Sequence, residues 1–452
     1  MNIIIVGCGK VGSTLAEQLT LEGHDITVVD TNADAVKRVT NVCDVMGITG
    51  NGVVHHVQKE AGIDYADMFI AMTGSDELNL LCCLIAKKAS SCITIARVRN
   101  PDYIYERGFI KEKLGISMII NPELESANEI ARLFSIPSAI EVDTFARGRI
   151  ELLKTILPED SPIAGMSIVD AIGKLSGKIL ICAIERNNEI IIPSGNDMLH
   201  AGDKISFVTT HKDAGHFFKK AGLSQNHIKT IMIIGGGKIS YYLAKKLAEV
   251  GFRVKIIEKN RERCEFLNSM LSGDVEIING DGIDQSLLME EGVEDADGVA
   301  SITDFDEENI MLSLYVQANF KAKTVTKINK LNFEGITDRL QIGSVIYPKY
   351  ITAEMIISYV RALENTTGSN VQTLYNIVGG KAQALEFSVK NQSAVVGVPL
   401  SQLQLKNNLL LCCISRHGKI LIPSGRDCIE IGDTVVVVTT SRGLNDVKDI
   451  LA

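Results

Sequence analysis

Two short stretches carry the residue types that could do chemistry. Gly7-x-Gly9-x-x-Gly12, with Cys8, Lys10 and Val11 between and after the glycines, follows the apolar run "NIIIV" and opens a segment whose Val11, Leu15 and Leu19 share a helical face until Gly23. In that context the first glycine makes a tight turn, and the second lets a pyrophosphate approach the backbone. The new helix then offers free N–H groups and a partial positive charge to the anion. Asp30 closes the next apolar run, "DITVVD", where a carboxylate accepts from ribose hydroxyls and repels a 2'-phosphate, favouring NAD(H) over NADP(H). The second stretch, Gly235-Gly236-Gly237-Lys238-Ile239, repeats the pattern with Glu258 as its acid and Ser240 in place of the third glycine. That departure leaves three states open for the second site: weaker, of different nucleotide preference, or empty.

Other positions recur in step. Gly50-Asn51-Gly52 and Gly280-Asp281-Gly282 end the third apolar run of each copy, where an adenine would lie against the sheet edge. Thr73, followed by Gly74, and Thr303 end the fourth, on the side where open α/β sheets bind ligands. Arg97 and Lys327 match in the fifth and offer each copy a cation for a phosphate. His55 and His56 have Asp284 and Gln285 as counterparts, so they read as surface residues. No HExxH, GxSxG or paired Cys/His spacing is present, and the sequence offers neither a catalytic nor a metal-ligating set.

These residues need elements to position them, and the chain supplies them twice. Gly7 and Gly9 recur as Gly235 and Gly237 at an offset of 228, and Thr73, Asp76, Glu77 and Asn79 recur as Thr303, Asp306, Glu307 and Asn309 at 230. The offset is still 230 where "IIPSGND", from Ile191, returns as "LIPSGRD", from Leu421. In each copy short apolar runs alternate with helical segments, the pattern of a doubly wound parallel sheet, since buried parallel strands need helical crossovers. From about Ser135 the pattern changes to strands with a hairpin, "KILICAIERNNEIIIPSG", whose arms meet at Asn187-Asn188. The expected fold is α/β: two Rossmann-like doubly wound domains over 1–134 and 228–364, each followed by a small α+β domain, over 135–222 and 371–452. "GLSQNH" links the halves, and "ENTTGSN" (Glu364 to Asn370) is the second boundary.

Composition narrows the function classes. The 452 residues are 46% hydrophobic and 22% charged, a globular composition, and a net charge of -9 with 46 scattered Lys and Arg argues against nucleic-acid partners. The longest apolar run, Leu80 to Ala86, falls far short of the roughly 18 to 20 residues of a membrane span. With no signal-peptide pattern, a cytoplasmic location is expected. Ten cysteines without a CxxC, such as Cys82-Cys83 and Cys412-Cys413, read as small core residues. Two enzyme classes stay open, an NAD-dependent oxidoreductase and a methyltransferase, but neither explains why the small domains are duplicated.

The tandem layout, with "IIIVGCGKVG", "DITVVD", "TGSDELN" from Thr73, "IARVRNPDY" from Ile95 and the two "IPSG" domains, resembles the NAD-binding peripheral subunits of Trk potassium-uptake systems, built from two regulator-of-potassium-conductance (RCK) units. The resemblance spans essentially the whole chain. It implies a non-enzymatic regulator on the inner face of the cell membrane that oligomerises, binds NAD(H) with ATP or ADP as competing nucleotide, and controls a Trk-type potassium-translocating membrane subunit. It carries nucleotide contact over to Gly7, Cys8, Gly9, Lys10, Val11, Asp30, Thr73, Gly74 and Arg97, and to Gly235, Gly236, Gly237, Lys238, Ile239, Glu258, Thr303 and Lys327. It further implies assembly through "PELESANEIARLF" and "PKYITAEMIISYV"; core packing within one chain is the competing reading of their apolar residues Ile130, Leu133, Phe134, Met355, Ile356 and Val360.

Overall fold

Runs of β-branched residues such as Ile3-Ile4-Ile5-Val6 cannot hide from water on one face only, so each becomes a central strand covered by helices on both sides. In the computed structural model the first half forms a six-stranded parallel sheet: β1 (Asn2–Val6), β2 (Asp25–Asp30), β3 (Met46–Thr49), β4 (Met68–Ala71), β5 (Ile93–Arg97) and β6 (Met118–Ile120), in the order β3-β2-β1-β4-β5-β6. Next comes an antiparallel sheet of β7 (Glu141–Phe145), β8 (Ile150–Ile156), β9 (Ile179–Arg186), β10 (Glu189–Ile191) and β11 (Lys204–Thr209), ordered β10-β9-β11-β8-β7. The second half repeats both. Its parallel sheet, β14-β13-β12-β15-β16-β17, uses β12 (Thr230–Ile234), β13 (Arg253–Glu258), β14 (Val275–Asn279), β15 (Gly298–Ser301), β16 (Lys323–Lys327) and β17 (Ser344–Ile346). Its antiparallel sheet, β18-β19-β22-β20-β21, uses β18 (Val371–Ile377), β19 (Ala382–Ser388), β20 (Leu409–Arg416), β21 (Lys419–Leu421) and β22 (Thr434–Thr439).

The structure describes all residues except 146–149, 176–178, 188, 224–227, 272, 330–339, 341, 365–370, 378–381, 442 and 445. Asn188 and most of the two expected linkers, "GLSQNH" and "ENTTGSN", lie outside the described residues. Among the described residues no helix is long and apolar enough to cross a membrane.

The parallel order reverses between β1 and β4, so the crossovers leave a crevice at the carboxyl ends of those strands, which is where the glycine loop sits. Helix Lys10–Leu21 follows that loop, and Ser75 caps helix Asp76–Ala89 by accepting from Leu78 N–H. In the small domains the repeated Pro-Ser-Gly-x-Asp motif closes a turn. Asp197 accepts from Ser194 N–H (2.6 Å) and Ser194 Oγ (2.9 Å), while Arg186 forks onto Asp203 with both contacts at 2.7 Å. Asp427, Arg416 and Asp433 repeat the arrangement.

The two halves are not beads on a string. Helix Pro122–Ser135, which ends the first parallel unit, lies against helix Lys238–Glu249 of the second, and helix Pro348–Glu364 lies against Lys10–Leu21 of the first. Ile356 and Val360 therefore share an apolar cluster with Ile5, Leu15 and Leu19, and Ile130, Leu133 and Phe134 share one with Ile233, Leu243 and Leu247. The apolar faces of the two expected assembly helices are thus buried between the halves of a single chain. Gly298 makes room for this exchange, since a Cβ there would lie 2.7 Å from the Phe134 ring. Lys323, on β16, donates to the carbonyls of Leu133, Ile136 (3.0 Å) and Ala139 at the C-terminus of the first half's helix, where desolvation pulls its ammonium down to about 7. The antiparallel sheets meet face to face through Leu152, Cys182 and Val208 on one side and Ala384, Cys412 and Val436 on the other. Cys82, Cys83, Cys412 and Cys413 are fully buried, and burial pushes the Cys82 and Cys413 thiols up to about 12, far from the reactive thiolate.

One acidic group is strained by this packing. Glu354 of the Pro348–Glu364 helix faces Glu129 and Glu141 in the seam, and burial with these like charges pushes its carboxyl up to about 8. The folded state therefore holds a proton that the unfolded chain has released between about pH 4.5 and 8, and stability falls as pH rises through that window. A Glu354→Gln chain is expected to gain roughly 1 to 3 kcal/mol over wild type at pH 8.5 and little at pH 4.5, read from urea unfolding at the two pH values.

Candidate functional site

The first glycine loop is shaped by what cannot fit beside it. Gly7 has φ +105°, and a Cβ there would lie 2.8 Å from the Met72 carbonyl carbon. At Gly12 a Cβ would sit 1.9 Å from Gly7 O. At Gly9 it would meet nothing within 4 Å, so the space a pyrophosphate needs above the backbone is open. The second copy keeps Gly235 at φ +102° and an open Gly237. Ser240, fully buried, replaces the third glycine and donates its hydroxyl to Gly235 O, which turns the crowding at Gly12 into a hydrogen bond and keeps the loop's shape.

The two acids hold their loops in the same way. Asp30 Oδ2 accepts from Cys8 N–H (2.7 Å) and Oδ1 from Asn32 N–H (2.9 Å). Glu258 accepts from Gly236 N–H and, through Oε1, from Asn260 N–H (2.6 Å). Glutamate is one methylene longer than aspartate, and the loop compensates: a Cβ at residue 236 would lie 2.8 Å from Glu258 Cγ, so glycine stands where the first copy has Cys8. An ionised carboxylate has about four acceptor positions, so each acid retains room for two ribose hydroxyls.

Thr73 and Thr303 stand at the ligand edge but are already engaged. Thr73 donates from N–H (2.8 Å) and Oγ1 (2.7 Å) to Asn79 Oδ1, and Asn79 Nδ2 donates to Arg97 O (2.9 Å), tying the end of β4 to the end of β5. Thr303, Asn309 and Lys327 repeat the tie. Buried Asp76 takes the N–H groups of Arg99 (2.8 Å) and Asn100 (2.7 Å), which fixes the next loop. Asn79, Asp76 and Arg99 hold this edge together and were not among the candidate site residues, although the recurrence of Asp76 and Asn79 was a signal for two of them.

Arg97 and Lys327 do lie at matched strand ends. Burial pulls the Arg97 guanidinium down from its usual range, helped by the Arg99 charge, and Arg97 Nε is buried with no hydrogen-bond partner among the described residues. A buried guanidinium N–H without a partner at the carboxyl end of the sheet fits an anionic ligand group, alongside the Glu123 and Asp76 carboxylates that already act on it. Lys327 is also depressed by burial, but Asp304 stands 3.4 Å from its Nζ and works against the shift.

Lys238 lines a cleft of about 480 Å³ with Gly74, Ser75, Glu77 and Arg99 of the first half and with Arg263 of its own, which donates to Gly236 O (2.6 Å). Helix Lys238–Glu249 is turned toward the first half by the helix exchange, so the first residue of that helix points across the seam. In the same way Lys10 lies close enough to Lys327 to help depress it. The seam is wired to this edge: Arg99 donates to Gly74 O and its own carbonyl accepts from Tyr242 Oη (3.0 Å), which accepts in turn from Asn121 Nδ2 (3.0 Å). Lys238→Ala is expected to weaken an adenosine triphosphate in the first cleft roughly tenfold while changing AMP little, a split that calorimetry reads directly.

The sequence places these observations among known proteins. The TrkA-N domain family matches residues 3–122 and 231–348, and the TrkA-C domain family matches 155–222 and 384–452. A Trk system potassium uptake protein TrkA homolog of Archaeoglobus fulgidus is 34% identical over 452 residues, covering 100% of both chains. The TrkA homolog 2 of Methanosarcina mazei is 31% identical over 458 residues, again covering 100% of both. Among solved structures, the GsuK channel bound to NAD superposes with a TM-score of 0.61 at 18% identity, over 97% of this chain and 77% of that one, a likeness of fold.

Proposed function

The chain belongs to the TrkA family, and from that premise we propose that it is a nucleotide-sensing regulatory subunit of a Trk-type potassium-uptake system, without chemistry of its own. The observation that carries the reading is the seam. The cleft lined by Gly74, Ser75 and Lys238 draws on both halves, and a ligand reaching into it from a glycine loop would touch side chains of each. A ligand shifts a two-state assembly only through differential contact with the two states, and a site built from both halves supplies such contact.

In the first half NAD(H) would be held by Gly7 to Val11, with ribose on Asp30 and phosphate near Arg97; Thr73 and Gly74 would frame the far end. In the second, Gly235 to Ile239, Glu258, Thr303 and Lys327 take those places. The dinucleotide would act as a charged wedge between the halves, and ATP or ADP, with a different reach across the seam, would favour a different spacing. Copies of the chain would assemble on the cytoplasmic face of the potassium-translocating partner and pass that spacing on. The relatives named as Trk potassium uptake proteins support the transport role. Small-angle scattering of the assembled protein with saturating NADH and with saturating ATP tests the sensing step: different radii of gyration are expected, and identical profiles would remove it.

A further inference from the structure

The repeat makes the two clefts comparable residue by residue, and they differ most where the phosphates of a nucleotide would end. We infer that Asp304 makes the second cleft discriminate against terminal phosphates, so that the two copies of one fold select different ligands; this rests on the reading of both clefts as nucleotide sites. Gly74 has no side chain, and its carbonyl receives Arg99. Its counterpart Asp304 carries a carboxylate that is 96% exposed, with Oδ1 3.4 Å from Lys327 Nζ. Lys327 itself is 7% exposed, so the cation that the second copy retains at the end of its fifth strand is already paired.

The neighbouring exchanges run in the same direction. Glu308 stands for Leu78 and Asn329 for Arg99. Over 73–79 and 97–99 the formal charge is zero, from Asp76, Glu77, Arg97 and Arg99; over 303–309 and 327–329 it is -3, from Asp304, Asp306, Glu307 and Glu308 against Lys327. The lysine of the opposite loop serves each cleft, Lys238 the first and Lys10 the second, so that contribution cancels. Glu123 also bears on the first edge, 3.8 Å from Arg99, and brings its formal charge to -1 against -3, whereas its counterpart Lys349 lies over the Tyr350 ring. The nucleoside end keeps its frame: Glu258 holds its loop as Asp30 does and Gly282 packs on Ile234 as Gly52 packs on Val6, while Asp281, which stands for Asn51, is paired with Lys259 (2.6 Å). The second cleft therefore suits a nucleotide whose phosphates end on the glycine loop, and a β- or γ-phosphate reaching the fourth and fifth strand ends meets a carboxylate instead of a cation.

Calorimetry on the full-length protein with ATP and, separately, AMP tests this. Wild type is expected to bind ATP at one tight site per chain, with the second site at least roughly tenfold weaker. Asp304→Asn, which keeps the shape and removes the charge, and Asp304→Gly, which restores the first copy's residue, are expected to tighten the second ATP site roughly tenfold and to move AMP by less than about twofold. Asp304→Gly leaves buried Lys327 without its partner, so thermal unfolding is read alongside binding; in Asp304→Asn the amide oxygen can still accept from Lys327 Nζ, which keeps the test independent of folding. Two equal ATP sites in wild type, or variants with unchanged ATP affinity, overturn the assignment of Asp304. Absence of both ATP and AMP binding in wild type overturns the nucleotide reading on which it rests.

Discussion

A Gly7→Ala chain is expected to lose roughly 2 to 4 kcal/mol of stability in its first half and, with it, nucleotide binding there. The reasons are independent and add. At φ +105° an L side chain is strained, and the new methyl would lie 2.8 Å from both the carbonyl carbon and oxygen of Met72, which is backbone in the adjoining strand end and cannot rotate away. Gly9→Ala separates fold from ligand. Gly9 has φ -74°, and a Cβ there meets no protein atom within 4 Å, so stability should hold within about 0.5 kcal/mol while the added methyl obstructs the pyrophosphate's approach. Thermal unfolding and NADH titration on both variants read the split. If Gly9→Ala binds NADH as wild type does, the open space above that glycine is not the pyrophosphate position.

Much of this was legible before the structure, because it depends on local rules. A glycine at a strand-to-helix turn, an acid at the end of the second strand and a Thr-x-x-Asp-Glu-x-Asn stretch are short-range patterns, and their recurrence at a near-constant offset marks the duplication. What escaped the sequence was tertiary. Amphipathicity in Pro122–Ser135 and Pro348–Glu364 announces a buried face without naming what buries it, and only the packing shows each helix covering the other half. That Lys238 also meets residues of the first half follows from the helix exchange, which sequence neighbours do not announce. Ser240 raised doubt about the second loop that its hydrogen bond to Gly235 O resolves as a matter of shape, while Asp304, in the recurring stretch but unlike its counterpart, is where the second cleft differs in charge.

Asp30→Ala is expected to weaken NADH binding by roughly 10- to 100-fold. Hydrogen bonds to a charged acceptor contribute about 1.5 to 3 kcal/mol, and each 1.4 kcal/mol is tenfold. The loss has two sources: the ribose loses its acceptor, and the Cys8 and Asn32 N–H groups lose the carboxylate that holds the glycine loop in place. Asp30→Asn separates them, since one carboxamide oxygen can still hold the Cys8 N–H and the remaining deficit then reports ribose contact. NADH fluorescence titration of the three proteins reads both steps. Equal affinity in all three would take Asp30 out of the site.

The central claim is that nucleotide bound in the seam controls potassium movement through a membrane partner. Its most direct test is potassium flux in liposomes containing the Trk-type potassium-translocating subunit, measured with and without this protein and with NADH or ATP present. The account predicts that flux depends on the protein, that NADH and ATP move it to different levels, and that Gly9→Ala removes the NADH response while leaving the protein folded. Flux that is the same with and without the protein, and under every nucleotide, contradicts it.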